Sequence, residues 1–231
     1  MIKAAIFDLD GTLLNRDESL RNYINNQYER LTNHLGHIPK EKYVERFIEL
    51  DCRGYVWKDK VYRQLVDELN IVGITPDELL QDYLAEFKNH CVPFDHLNQM
   101  LEELKHSNLY LGMITNGYGQ FQMDNIKALG IEDYFDVILV SEWEGVKKPN
   151  PELFYRALKK LGLSANECIF MGDHPDTDIK ASQNVGMKAF WKKDHQWNDV
   201  EADFIINDLS EVPTIIRDLN KQPILQDKKR I

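Results

Sequence analysis

The sequence predicts an α/β protein in which a parallel sheet is interrupted, soon after its first strand, by a block of helices. Three observations carry this. Short apolar runs that end in Gly, Asp, Asn or Thr occur near the start of the chain and again from about residue 109, with helical patterns between them. That is the alternation expected of a parallel sheet covered by helices on both faces. Over 15–92 the strand pattern disappears, and apolar residues recur at three- and four-residue spacing. Finally, 231 residues with 43% hydrophobic content suffice for one sizeable core and a smaller satellite.

The first predicted strand, Ala4 to Phe7, is apolar throughout and runs into Asp8-Leu-Asp10-Gly11-Thr12. Ligands of open α/β sheets bind beyond the carboxyl ends of the strands, so these two aspartates are expected to face a site rather than a core. Leu20, Tyr23, Ile24, Gln27, Tyr28, Leu31 and Leu35 then predict one amphipathic helix that closes near Gly36. Pro39 suits a first helical turn, with Tyr43, Val44, Phe47 and Ile48 as the next apolar face. Val61, Tyr62, Leu65, Val66 and Leu69 give a third helix. Thr75-Pro76-Asp77-Glu78 opens a fourth with a capping box and a first-turn proline. Four such helices with short connections make a small bundle. The expected organisation is therefore a core of 1–14 and 93–220, an inserted four-helix-type unit over 15–92, and a frayed or weakly docked tail over 221–231.

The second part of the core reads in order. A helix carrying Leu97, Met100, Leu101 and Leu104 leads to a strand over 109–114 that stops at Thr115-Asn116-Gly117. A helix over 121–129, a strand over 137–140, a helix over 151–161 and a strand over 168–171 follow, the last ending at Gly172-Asp173. Shorter strands are expected over 188–191 and 204–206, and Val212, Ile215, Ile216 and Leu219 mark a closing helix.

Acidic residues outnumber basic ones by 38 to 28, a formal charge of −10, and no basic stripe interleaved with aromatics stands out, so a nucleic-acid partner is not expected. No apolar stretch approaches the ~20 residues needed to span a bilayer. With the first strand starting at once, this predicts a cytoplasmic protein without a membrane partner, monomeric or homodimeric. Cys52, Cys91 and Cys168 are an odd number without metal-ligand spacing and are expected to be reduced.

Chemistry-bearing residues gather where strands end: Asp8 and Asp10 after the first, Thr115-Asn116-Gly117 after the second, Asp173 and Asp178 after the fourth, with Lys147-Lys148-Pro149 before the helix over 151–161. Carboxylates converging on one sheet edge need a cation. A hard divalent ion with oxygen ligands, Mg²⁺ above all, suits them. Lys147 is expected at the surface, Asp176 at a helix start, and His174 in a turn. Asp178 is expected either to touch the metal or to support Lys148. In the inserted unit, 50–58 breaks helical periodicity. It reads as a solvated linker or as a substrate loop, with Arg53 or Lys58 meeting a charge and Tyr55 or Trp57 stacking on a ring.

The four loaded segments together resemble the haloacid dehalogenase superfamily. Asp8-Leu-Asp10-Gly11-Thr12 is similar to its first motif. The resemblance implies that Asp8 is the nucleophile and Asp10 the general acid/base, both contributing to Mg²⁺ binding. Thr115-Asn116-Gly117 resembles the second motif and implies phosphate binding by Thr115 and by the backbone N–H that follows. Ser141-Glu142-x-x-Gly145-x-Lys147-Lys148-Pro149-x-Pro151-x-x-Phe154 resembles the third, with Lys148 as catalytic lysine and phosphate ligand. Gly172-Asp173-His174-Pro175-Asp176-Thr177-Asp178 resembles the fourth, which supplies Asp173 and Asp178 as metal residues. The implied protein is a Rossmann-like phosphohydrolase with a helical cap, acting through an aspartyl phosphate on a nucleotide, phosphoglycolate or a sugar phosphate. The phosphoglycolate phosphatase and pyrimidine 5'-nucleotidase branches look most alike. A phosphomutase shares this core. A dehalogenase would lack Asp10, and a silent phosphate-binding protein would have lost Asp8, Asp10, Lys148 or Asp173; all are present.

Overall fold

The structure, a computed structural model, describes residues 1–221; the predicted tail otherwise lies outside them. The chain divides into two compact units. One takes in Met1–Leu13, Phe94–Gln122 and the chain from Gly130; the other takes in Leu14–Pro93 together with Met123–Leu129, a stretch that the sequence assigns to the core.

In the first unit six strands form one parallel sheet: β1 Ala4–Phe7, β2 Tyr110–Thr115, β3 Val137–Val140, β4 Cys168–Gly172, β5 Lys188–Lys192 and β6 Phe204–Ile206. Their order is β3-β2-β1-β4-β5-β6. The progression runs outward from β1 to β3 on one side and from β4 to β6 on the other, so it reverses between β1 and β4. Such a reversal opens a crevice at the carboxyl ends of the two strands. β1 is buried along its whole length because it pairs on both sides, with Ala4 opposite Tyr110 and opposite Cys168. That is why the strand reads as an uninterrupted apolar run rather than an alternating one. Ala4, Ile6, Ile114, Leu139 and Phe170 pack on one face against Leu153, Phe154, Ala157 and Leu158 of the helix Pro151–Leu161. At Gly112, a β-carbon would press within 3.2 Å of Ile6 across the β1–β2 pair.

The second unit contains α1 Arg16–Arg30, α2 Lys40–Asp51, α3 Lys58–Leu69 and α4 Pro76–Glu86. Its two chain ends run side by side: Leu14 bridges Pro93, Asn15 N donates to Val92 O, and the Ser19 hydroxyl accepts from Val92 N. The capping box opening α4 is complete, with Thr75 N donating to Glu78 Oε2 and Glu78 N donating to Thr75 Oγ1. A polar core ties the helices together around Gln27. Its amide oxygen accepts from the Tyr43 and Tyr62 hydroxyls at 2.9 and 3.0 Å, and its Nε2 donates to Tyr23 and Asp82. One expectation fails here. The helix predicted through Leu35 stops at Arg30, Leu31 leaves the helical conformation at φ −102°, ψ 23°, and Thr32–Leu35 is a separate short turn of helix. Among the described residues no helix is long and apolar enough to cross a membrane.

Candidate active site

The first unit's sheet positions the site residues through its strand ends. Asp8 N donates to Met171 O at 2.8 Å, which carries the β1–β4 pairing one residue beyond β1 and holds Asp8 against the neighbouring strand. The chain then turns tightly, with Thr12 N and Leu13 N both donating to Leu9 O. Gly11 takes φ +78° in this turn, and a β-carbon there would collide with the Asp173 carboxylate. Glycine is thus required by conformation and by space.

Gly172 ends β4 and plays the same spatial part for Asp178, whose side chain would meet any β-carbon at 172. A single π-helical turn, Pro175–Lys180, brings Asp178 back towards the strand end. His174 caps this turn, its Nδ1 accepting from Asp176 N and Thr177 N, and Asp176 pairs with Lys180 at 2.7 Å. Trp191, at the end of β5, donates its indole N–H to Asp173 O at 2.8 Å and so fixes the backbone from which the Asp173 carboxylate projects.

Lys148 is the positive centre. Its ammonium lies 2.7 Å from Asp8 Oδ1 and 2.6 Å from Asp178 Oδ1, and 5.3 Å from the centre of the Phe170 ring. Asp178 also accepts from His174 N at 3.1 Å. Carboxylate oxygens of Asp8, Asp173 and Asp178 all lie within 4.8 Å of one another. Three carboxylates therefore face one ammonium. Burial pushes the Asp8 carboxyl up to about 7, Lys148 pulling against the shift while Asp178 and Asp10 add to it. Burial, then the charges of Asp178 and Asp8, hold the Asp173 carboxyl well above the usual range. Burial works against the Lys148 ammonium as well, yet Asp178 and Asp8 outweigh it and leave its pKa raised. An excess of buried negative charge with oxygen donors suits a hard divalent cation.

The turn after β2 is anchored to the segment that carries Lys148. The Asn116 side chain accepts from Lys148 N at 2.9 Å and donates to Lys148 O at 3.0 Å, a two-point clamp. Gly117 exchanges hydrogen bonds with the Ser141 hydroxyl, and Gly119 N donates to Glu142 at 2.6 Å. Gln122 Nε2 reaches Asp10 Oδ2 at 2.7 Å and Thr115 Oγ1 at 2.8 Å. The sequence reading missed the Asn116 clamp and Gln122. Nothing in the sequence marks the latter: Gln122, Asn125 and Ile126 are all buried, so the buried stripe of the helix Gly119–Ala128 carries two amides where apolar residues are expected.

Residues 5–192 match the family of haloacid dehalogenase-like hydrolases. The glyceraldehyde 3-phosphate phosphatase of Methanocaldococcus jannaschii is 31% identical over an alignment covering 96% of this chain and 100% of that protein. The chain belongs to the haloacid dehalogenase-like hydrolase family. Two solved structures bracket the chemistry of such hydrolases. A HAD phosphatase from Thermococcus onnurineus is 26% identical with a TM-score of 0.67, covering 93% of this chain and 98% of that one. A 2-haloacid dehalogenase from Pseudomonas syringae is 28% identical with a TM-score of 0.62, covering 95% and 100%. Overall likeness does not separate the two reactions, so the side chains of this hydrolase have to.

The remaining predicted residues belong to the helical unit. Cys52 and Arg53 both adopt left-handed backbone conformations, φ 47° and 54°, in the turn Cys52–Gly54. Arg53 lies 3.2 Å from Asp17. Lys58 is not in a solvated linker: it opens α3, is 2% exposed and donates to the buried Asp51, which also takes two hydrogen bonds from Arg16. Trp57, half-buried, precedes it, and its ring lies edge-on to Tyr83.

Proposed function

We propose that this hydrolase is a Mg²⁺-dependent phosphomonoester phosphatase that forms an aspartyl phosphate on Asp8, with a small phosphorylated metabolite as substrate. The observation that carries the reading is the grouping of Asp8, Asp173 and Asp178 around Lys148 at the sheet's switch point. Asp8, the Asp10 carbonyl and Asp173 would hold Mg²⁺, with Asp178 fastened to Lys148 or joining them. The ion supplies neutralisation of the phosphoryl charge, without which an anion cannot approach a phosphate dianion.

In the first half-reaction an oxygen of Asp8 attacks phosphorus, the bond to the substrate's ester oxygen breaks, and Asp10 gives its proton to that oxygen. Lys148, Thr115 and the N–H groups of the following turn bind the phosphoryl oxygens. In the second, a water loses a proton to Asp10 and attacks the same phosphorus. The bond to Asp8 breaks, inorganic phosphate leaves, and both carboxyls return to their starting states. Asp10 also argues for an oxygen leaving group, because a departing halide needs no proton. The phosphatase relatives support the substrate class.

The helical unit acts as the cap in this reading, with Arg53 and Trp57 as its candidate contacts to the leaving part of the substrate; Lys58, buried against Asp51, is not available for that role. The test is a Mg²⁺-supported screen of phosphorylated metabolites scored by kcat/KM, with Asp8→Asn as control. A substrate with kcat/KM of at least about 10⁴ M⁻¹s⁻¹ that the variant does not turn over is expected. Release of phosphate by Asp8→Asn at the wild-type rate would remove the covalent mechanism.

A further inference from the structure

Gln122 has a buried amide whose nitrogen meets a carboxylate, a hydroxyl and a backbone carbonyl, and it has no part in the mechanism as written above. Its Nε2 lies 2.7 Å from Asp10 Oδ2, 2.8 Å from Thr115 Oγ1 and 3.2 Å from the Asn116 carbonyl oxygen. A carboxylate and a carbonyl only accept hydrogen bonds, so the amide nitrogen has to face this group. Room for it comes from Gly117. A β-carbon there would stand 2.8 Å from Gln122 Cγ and 3.1 Å from its Nε2. The glycine of the Thr-Asn-Gly turn is therefore the seat of the Gln122 side chain.

We propose that Gln122 is the positioning residue for proton transfer by Asp10, an inference that rests on the phosphatase reading. A carboxyl that serves first as acid and then as base has to present the same oxygen to the leaving group and later to water. Rotation about its last side-chain bond exchanges the two oxygens. Donation from Gln122 to Oδ2 removes that freedom and leaves Oδ1 to carry the mobile proton. The same amide donates into a lone pair of Thr115 Oγ1, which directs the threonine O–H away from Gln122 and frees it to donate to a phosphoryl oxygen. One side chain thus sets the geometry of two groups that arrive from β1 and β2.

The reaction offers an internal control. Acetate leaves acetyl phosphate without needing a proton, whereas an alkoxide leaving an alkyl phosphate needs one, and the attacking water needs a base with either substrate. Gln122→Met keeps the volume and removes both donors. Its kcat on an alkyl phosphate is expected to fall on the order of 100-fold with KM within about threefold. With acetyl phosphate, phosphorylation in a rapid-quench experiment is expected to stay within a few-fold of wild type, while phosphorylated protein accumulates because its hydrolysis slows. Gln122→Leu, which likewise lacks both donors, is expected to show the same split. Equal losses in both steps with a lowered Tm would make Gln122 a packing residue and overturn the proposal, as would unchanged kinetics in either variant. If wild type itself releases no phosphate, the phosphatase reading falls and the inference with it; an unsplit loss in an active enzyme removes the inference alone.

Discussion

The Lys148 ammonium stands 2.7 Å from Asp8 Oδ1, and both side chains are buried at the carboxyl edge of the sheet. In the proposed mechanism this ion pair favours the anionic form of Asp8 against the effect of its burial. Lys148→Met is expected to lower kcat about 100- to 1000-fold, the range seen when one donor to developing charge is removed. Steady-state kinetics at saturating substrate reads this, and a loss under tenfold would move the lysine out of the reaction.

Asp8→Asn separates chemistry from stability. Turnover is expected to vanish while Tm at pH 8 stays equal to wild type or rises. The sign follows from the Asp8 carboxyl standing at about 7 in the folded protein against ~3.9 unfolded. Ionised Asp8 opposes folding fully above pH 7, and the opposition fades as pH falls towards 4. The variant's advantage should shrink over that window. Thermal melts of both proteins from pH 4 to pH 8 without divalent metal test it.

Mg²⁺ should raise Tm, and by more at pH 8 than at pH 5, since the ion binds ionised carboxylates and relieves their crowding. Asp173→Ala should abolish most of this shift. An equal shift at both pH values, or one surviving in the variant, would place the ion elsewhere.

In the helical unit, Asp51 is 1% exposed and bound by Arg16 and Lys58. Burial raises its carboxyl pKa, but Arg16 and then Lys58 overcome this and hold it below the usual value. Asp51→Asn should destabilise by about 3 kcal/mol at pH 7, because the buried Lys58 and the half-buried Arg16 lose their counter-ion. A depressed pKa contributes stability above ~3.9 that is lost as pH falls through the folded value, so the gap should close only in strong acid. Urea melts at pH 7 and pH 3 measure it.

Arg53→Ala or Trp57→Ala should lower kcat/KM on the preferred metabolite at least tenfold more than on acetyl phosphate, if the cap reads the leaving part of the substrate. Parallel kinetics on the two substrates decide; equal losses would assign the loop to folding or closure.

The sheet was legible because parallel strands buried on both faces read as apolar runs, and its carboxylates because charge directly after such a run has no core to enter. The break at Leu31 was not legible. Periodicity reports which side chains face inward, and Leu31 and Leu35 keep that spacing although the backbone leaves the helix between Arg30 and Thr32. Asn116 and Gln122 escaped for another reason. An uncharged amide in a turn or on a helix carries no signal of the strand end it will clamp; its meaning lies in Lys148 and Asp10, far away in sequence.

The placement of β1 has a consequence for synthesis. Its partners begin at Tyr110 and Cys168, on opposite sides. While the chain is being made, β1 leaves the ribosome with both edges open and cannot be closed on the β4 side until residue 168 has emerged. At about 5–20 residues per second that wait is on the order of 10 s. The helices α1 to α4 are all translated before either partner appears. The strand that leads into Asp8 is thus the first made, yet it waits for β4 before both its edges are covered.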